Sequence, residues 1–309
     1  MATRQSSAVI ERVWSRLPDG SREVLETELS PTDLQSLLLS IARTRAGRVG
    51  PAEALRRWKS DRFVRPATID PGRLSEVESR LWRRLRATPF VGLALSPVTP
   101  MGTCTSVDAA DQNRIVSTVR SSEVVSDPCN VLALEAALRR RSNVEEVHLA
   151  SCHRVLRAQR FVDSDAFAHF VIFALVSSAR DSGSLRTEGQ LLIMHLGFWQ
   201  QILDELLGSA LGRFAYTLID SHPVGHRLVD KVQSGLPGVP WTEYPERTQG
   251  IGYYRTLAFK IMAKVEGDEV EIGDGGFVGW TAELIPDAKE RCLISCVAPE
   301  RLAGLMWRD

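Results

Sequence analysis

No apolar run in this 309-residue sequence is long enough to span a bilayer. The best stretch, Phe170 to Val176, falls far short of the ~20 residues a spanning helix needs. The N-terminus also lacks the apolar core of a secretory signal, since Met1 to Ser7 leads straight into an amphipathic stretch. Both absences predict a cytoplasmic protein with no membrane partner. Cysteine is sparse, with 5 residues scattered at Cys104, Cys129, Cys152, Cys292 and Cys296. An odd, dispersed set argues against a disulfide framework and for reduced thiols. Neither charge is in excess: 38 basic residues balance 38 acidic ones, so the basic surplus typical of a nucleic-acid binder is missing. Internal repeats and low-complexity tracts are absent as well.

What is present is ample for a large core: 44% of residues are hydrophobic and 25% charged. The length allows one large domain or two ordinary ones. The first 85 or so residues read as helical. Ser30-Pro31-Thr32-Asp33 opens a helix with a capping hydroxyl and an early proline, and Leu34, Leu37, Leu38 and Ile41 follow at helical spacing. Two more helices are expected near Pro51 to Lys59 and over Pro71 to Arg86, with a proline-containing loop between them. An N-terminal helical region over 1–87 and a core over 88–309 follow from this. Beyond Thr88, strands are expected at 90–95, 112–119, 147–152, 155–161, 168–179, 214–219, 253–264, 269–272, 276–280 and 291–297. Helices interrupt them at 130–141 and 188–208, and a last one starts at Pro299. Clustered strands with tight turns and two long helices predict an α+β fold. Its antiparallel or mixed sheet would carry helices on one face, unlike a doubly wound parallel sheet.

Three segments carry candidate chemistry. In Val155 to Phe161, Arg157 and Gln159 share a face if the segment is extended. A guanidinium beside an amide can grip a phosphate and a purine edge; the plainer reading is an Arg-rich edge strand with one solvated face. In Ile294 to Leu302, a strand of small residues runs into a helix, with Pro299 in its first turn and Glu300 and Arg301 near its N-terminus. Helix N-termini attract anions, although an ordinary strand-to-helix connection looks the same. The third segment pairs Gln249 to Arg255 with Gly273 to Phe277. Its glycines allow close approach beside a strand, and Gly273-Asp274-Gly275-Gly276 also reads as a plain hairpin turn.

In order and spacing these segments resemble the catalytic core of class II aminoacyl-tRNA synthetases. The likeness is strongest to the histidyl-tRNA synthetase branch, which includes the ATP phosphoribosyltransferase regulatory subunit. Val155 to Phe161 resembles motif 2 (aromatic-Arg-any-Glu), and Cys296 to Leu302 resembles motif 3, where Glu-Arg leads into a helix. Gln249 to Phe259 resembles the histidyl Arg-Gly-Leu-Asp-Tyr-Tyr segment. Gly275-Gly276 falls at its Gly-Gly-Arg-Tyr-Asp turn, and Thr118 to Glu123 resembles its Leu-Arg-Pro-Glu segment. Motif 1 is suggested by the helix at Pro71 to Arg86, the strand after it, and Pro97 or Pro100. The resemblance covers 88–309 and implies a class II synthetase-like antiparallel sheet flanked by helices, in a homodimer.

It also implies a reaction. An amino acid or small carboxylate would be activated by ATP, with Mg²⁺ neutralising the phosphates, and passed to a protein or RNA acceptor. Arg157 would hold the α-phosphate, Gln159 the adenine edge, and Arg301, beside Glu300, the γ-phosphate. Glu123, with Arg120 nearby, would meet the amino group; Gln249, Tyr253, Tyr254, Gly275 and Gly276 would line the substrate pocket. The likeness stops about one helix past motif 3, so no anticodon-binding domain is expected and the acceptor is not a conventionally recognised tRNA. The same family implies an alternative, a catalytically inactive subunit that senses an amino acid. The departures are specific: Gln249 replaces Arg, Gly252 replaces Asp, Cys296 and Ala298 replace glycines, and Phe277-Val278-Gly279 replaces Arg-Tyr-Asp.

Weaker signals complete the reading. Cys104, Cys129 and Cys152 with His153 or His169 have zinc-ligand chemistry but no CxxC or HxxxH spacing, so no metal is expected. Cys152 and His153 are strand neighbours facing opposite ways, and His222 and His226 fall in a Pro- and Gly-containing loop. Arg56-Arg57, Arg83-Arg84-Arg86 and Arg139-Arg140-Arg141 would form an RNA-binding patch, against which the neutral net charge counts.

Overall fold

The computed structural model describes residues 2–108, 110–158, 168–208, 212–219, 223–248, 250, 252–265 and 267–307. Two compact units divide the chain. The first is Met1–Asp61 with Ser117–Ser122, and the second is Arg62–Val116 with Glu123–Asp309.

The first unit is helical: α1 (Ala2–Trp14), α2 (Ser21–Glu23) running into a π-helical turn at Val24–Glu28, α3 (Pro31–Ala46) and α4 (Pro51–Ser60). Ser30 caps α3 by accepting from the Asp33 N–H at 3.1 Å, with Pro31 at the first turn. Glu53 ties Arg56 and Arg57 along α4 at 2.7 Å each. No side chain of α3 or α4 is buried.

The second unit holds α5 (Pro71–Leu85), β1 (Val91–Gly92), β2 (Val98–Pro100), α6 (Thr103–Asp108), β3 (Ser122–Val124), α7 (Pro128–Arg141), β4 (Glu146–Leu156) and β5 (His169–Arg180). It continues with α8 (Arg186–Leu207), β6 (Gly212–Leu218), α9 (Pro223–Gly235), β7 (Trp241–Glu243), β8 (Tyr254–Val265), β9 (Asp268–Val278), α10 (Trp280–Leu284), β10 (Glu290–Val297) and α11 (Pro299–Met306). Eight strands form one sheet in the order β1-β4-β5-β10-β9-β8-β6-β7. Its pairings are antiparallel apart from β1 on β4 and β6 on β7.

Strand periodicity sends alternate residues to opposite faces. Phe173, Leu175, Leu293, Leu257 and Phe259 pack with α5, α8, α9 and α11 around Trp199. Ile172, Ala174, Val176, Ile294 and Ala258 pack with α7 and α10 on the other face. Helices therefore cover both faces rather than one.

Several expectations change. The strand expected at 147–152 continues through Val155 and Leu156 as one strand, β4, paired with β5 on one side and β1 on the other; 159–161 lie outside the described residues. Arg157 accordingly follows the strand instead of lying within it. The stretch 112–119 holds a short 3-10 turn at Gln112–Arg114, and its strand comes later, as β3. Only Val91–Gly92 of the run 90–95 is paired, with Val91 exposed. Gly273 to Gly276 is no turn: β9 runs through it, paired on both sides. A Cβ on Gly275 would lie 2.6 Å from the Ile294 carbonyl oxygen and 2.6 Å from the Phe259 ring, so close approach of neighbours is what requires glycine there. The loop expected around His226 is α9, with Pro223 at its start.

Candidate functional site

The α7 face of the sheet gathers ionisable groups. α7 begins where Asp127 Oδ1 accepts the Cys129 N–H at 2.8 Å, a cap that leaves Oδ2 available. Oδ2 faces Arg157 Nη2 at 3.3 Å. Arg157 Nε also donates to the Ser126 carbonyl at 2.9 Å, and its guanidinium lies over the Phe170 ring, 5.2 Å from the centroid. Arg157, just past the end of β4, is thus held by three contacts, two from the start of α7 and one from β5.

On β9, Asp274 points to the same face. Its Oδ2 accepts from Arg247 Nη2 at 2.7 Å and from the Tyr254 hydroxyl at 3.1 Å. Arg247 is buried and also sits over the Tyr254 ring at 4.9 Å. Tyr253 packs beside Tyr254 with centroids 4.3 Å apart. Burial raises the Asp274 carboxyl even though Arg247 and Tyr254 oppose the rise. Burial likewise pushes the Asp108 carboxyl up to about 7; Asp127 and Asp274 add to this and Arg157 opposes it. Burial, with Asp274, raises the phenols of Tyr253 and Tyr254. Three carboxylates and two guanidiniums therefore share this face. The arrangement can hold an ammonium among the carboxylates and an anion against Arg157.

The residues singled out from sequence are placed as follows. Arg157, Tyr253 and Tyr254 come together here. Arg301, in the first turn of α11, is exposed and donates Nη1 to the Glu271 carbonyl at 2.7 Å. Its neighbour Glu300 pairs with Arg154 at 3.1 Å. Gly275 and Gly276 lie inside β9, beside Asp274. Glu123 is fully buried and accepts from the Gly102 and Cys104 N–H groups at 2.9 and 2.8 Å and from Gln112 Nε2 at 2.9 Å. Burial alone would raise its carboxyl, but these donors outweigh it and the carboxyl falls below its ordinary range. Arg120 belongs to the first unit and is exposed. Gln159 and Gln249 lie outside the described residues.

Sequence reasoning missed Asp108, Asp127, Asp274 and Arg247. Arg247 stands two residues before Gln249, and that segment brings a guanidinium to Asp274. An Asp-Pro at the start of a helix was the available signal for Asp127.

The chain matches no protein-family model and no curated protein sequence. Solved structures do match. Histidyl-tRNA synthetase from S. aureus superposes with a TM-score of 0.58 at 15% identity, covering 77% of this chain and 68% of that one. An ATP phosphoribosyltransferase regulatory subunit/histidyl-tRNA synthetase from Bacillus halodurans gives 0.56 at 9% identity, over 79% and 83%. A histidine–tRNA ligase subunit from Alicyclobacillus acidocaldarius gives 0.55 at 11%, over 78% and 96%. The chain has a class II synthetase-like fold.

No helix among the described residues is long and apolar enough to cross a membrane.

Proposed function

We propose that the chain activates an amino acid with ATP on the α7 face, forming an acyl-adenylate for a protein or RNA acceptor. The pair Asp127–Arg157 carries this reading. In an aminoacyl adenylate the ammonium and the phosphate are separated only by Cα, the carbonyl carbon and the bridging oxygen. A site for such a molecule must set a carboxylate beside a guanidinium, and Asp127 Oδ2 stands 3.3 Å from Arg157 Nη2. Asp127 accepts from the ammonium while Arg157 donates to the α-phosphate. Tyr253 and Tyr254 form the apolar wall beside them, and Asp274 is kept in place by Arg247.

The nucleotide fits the donors present. Arg157 Nη1 has no acceptor among the described residues, and Arg301 keeps Nε and Nη2 for a terminal phosphate. Magnesium carried by ATP would neutralise phosphate charge. Fixed guanidiniums aimed at the phosphoryl group stabilise charge as it develops.

A second reading, an amino-acid-sensing regulatory subunit without catalysis, has its own support. Arg157 and Arg247 are each already paired with a carboxylate, which leaves little free positive charge for a triphosphate and suits an ammonium better. ATP–pyrophosphate exchange with purified protein, Mg²⁺ and amino-acid pools separates the two. Exchange that depends on one pool supports activation. Thermal stabilisation by an amino acid with no exchange from any pool supports the sensor and sinks the enzyme.

The proposal extends to a homodimer through the open edge of the sheet. β1 is the terminal strand and Val91 is 50% exposed. Beside it a cavity of about 500 Å³ is lined by Trp82, Leu85, Phe90, Leu93 and Ala94. An unpaired edge next to an apolar hollow is a template for a second copy.

A further inference from the structure

At the other end of β10 from Cys296 lies a second cavity of about 500 Å³, within the size range of small-molecule sites. Its wall includes the β5–α8 connection, the start of α9, the β8 bulge and the first residues of β10.

The charges around it do not close. Arg291 donates Nη2 to Asp181 and Nε to Glu188, both at 2.7 Å. One guanidinium thus serves two carboxylates and leaves one negative charge over. Glu188 is only 7% exposed, and its Oε2 has no hydrogen-bond partner among the described residues. A buried carboxylate oxygen without a donor is costly. Arg227 lines the same cavity, is exposed, and has no ion pair among the described residues. Arg255 is already held by Glu283 at 2.6 Å, and its guanidinium lies where a side chain on Gly279 would sit. The cavity therefore presents one unmet anion and one unmet cation.

The backbone around it is strained as well. Ser184, Leu185 and Thr256 have φ of 55°, 56° and 60°, and all three line this cavity. Left-handed non-glycine residues are strained and persist where the surroundings enforce them, often at ligand sites. The bulge that carries Thr256 also turns Arg255 toward the wall.

We propose that this cavity is a binding site for a free amino acid, distinct from the α7-face site. The ammonium meets Glu188 Oε2, the carboxylate meets Arg227, and the side chain rests on Leu185, Val224 and Phe277. A diamine would satisfy only Glu188, and a phosphate or dicarboxylate only Arg227. A zwitterion satisfies both.

Calorimetric titration of the whole chain with each proteinogenic amino acid tests this. For the amino acid that binds, its decarboxylated amine and its des-amino acid follow. Wild type is expected to show two amino-acid binding events and Asp127→Asn to keep one of them, since that variant alters only the carboxylate of the α7-face site; the retained event reports this cavity. Arg227→Ala and Glu188→Gln are each expected to weaken binding about tenfold or more, and both truncated analogues to bind more weakly. Failure of every amino acid to bind wild type would overturn the proposal. So would unchanged affinity in Arg227→Ala, or complete loss in Asp127→Asn. Arg227 is exposed and has no ion pair among the described residues, so its variant remains a fair test even where Glu188→Gln fails to fold. Pyrophosphate exchange is a separate readout: its absence counts against activation on the α7 face and leaves this cavity untouched.

Discussion

The Tyr254 hydroxyl donates to Asp274 Oδ2 at 3.1 Å, and the same oxygen accepts from the buried Arg247 at 2.7 Å. The two donors are not equivalent. Tyr254→Phe removes one hydrogen bond to a carboxylate and should cost about 1.5–3 kcal/mol. Asp274→Asn takes the carboxylate away from the buried Arg247 and should cost about 3–5 kcal/mol. Urea unfolding of both variants checks the ranking; equal losses would mean that Arg247 has another neutralising partner.

Arg157→Ala should lower pyrophosphate exchange by about 10²-fold or more, the scale of losing one donor to developing charge. Arg157→Lys should recover little of it, because a lysine cannot span the Ser126 carbonyl, Asp127 and a phosphate at once. Amino-acid binding measured without ATP should survive both changes. Exchange that is indifferent to Arg157 would remove it from the reaction.

Asp108 gives a pH-dependent prediction. Its carboxyl lies at about 7 in the folded chain against an ordinary 3.8. The native state therefore holds a proton that the unfolded state has lost between those values, and its contribution to stability falls as pH rises through that window. Asp108→Asn keeps a neutral group throughout. Relative to wild type it should gain about 1–4 kcal/mol on going from pH 4 to pH 8. A variant difference that is flat with pH would show that Asp108 is solvated and ordinary.

His195 titrates with the opposite sign. Burial, helped by His148, holds its imidazole well below the usual 6.5. Unfolding then takes up a proton at acidic pH, so stability is full above 6.5 and is lost as pH falls. His148 and His153 are lowered by burial too and act in the same direction. His195→Gln should reduce the slope of stability between pH 5 and 6.5 by up to about 1.4 kcal/mol per pH unit. Chemical denaturation at a series of pH values measures it, and an unchanged slope would mean that His195 is charged in the folded chain.

Much of the fold was legible in the sequence. The helix read over 130–141, the strand over 291–297 and the helix from Pro299 carry apolar patterns and fold as read, the first of them starting two residues earlier behind its Asp127 cap. Local signals misled where tertiary contacts decide. Gly273-Asp274-Gly275-Gly276 has the composition of a turn, but its glycines are there because Ile294 and Phe259 press on the strand. Pro223 and Gly225 look like loop residues, yet Pro223 opens α9 and Gly225 lets Leu218 approach. The site was harder still. Glu123 matched a motif but is used up by backbone donors, whereas Asp274 and Arg247 are 27 residues apart and meet only because β8 and β9 pair.

Val91→Glu should keep the chain monomeric if the β1 edge is the dimer seam, because a charge on an edge strand opposes pairing with another copy. Sedimentation of wild type and variant at matched concentration is the measurement. Dimers in both would place the seam elsewhere.

Beneath the sheet, His195 Nε2 and Nδ1 each lie 2.8 Å from a serine hydroxyl, Ser177 on β5 and Ser295 on β10, and Trp199 Nε1 donates to Ser295 at 2.8 Å. These are adjacent strands, and α8 spans 22 residues, about 33 Å. One imidazole therefore pins a long rod to two neighbouring slats at a single point. Sliding the rod by even one residue would strand both ring nitrogens in an apolar interior. The helix can flex at its ends but cannot creep along its axis, so any shape change transmitted across this sheet must be a rocking about that pin, never a glide past it.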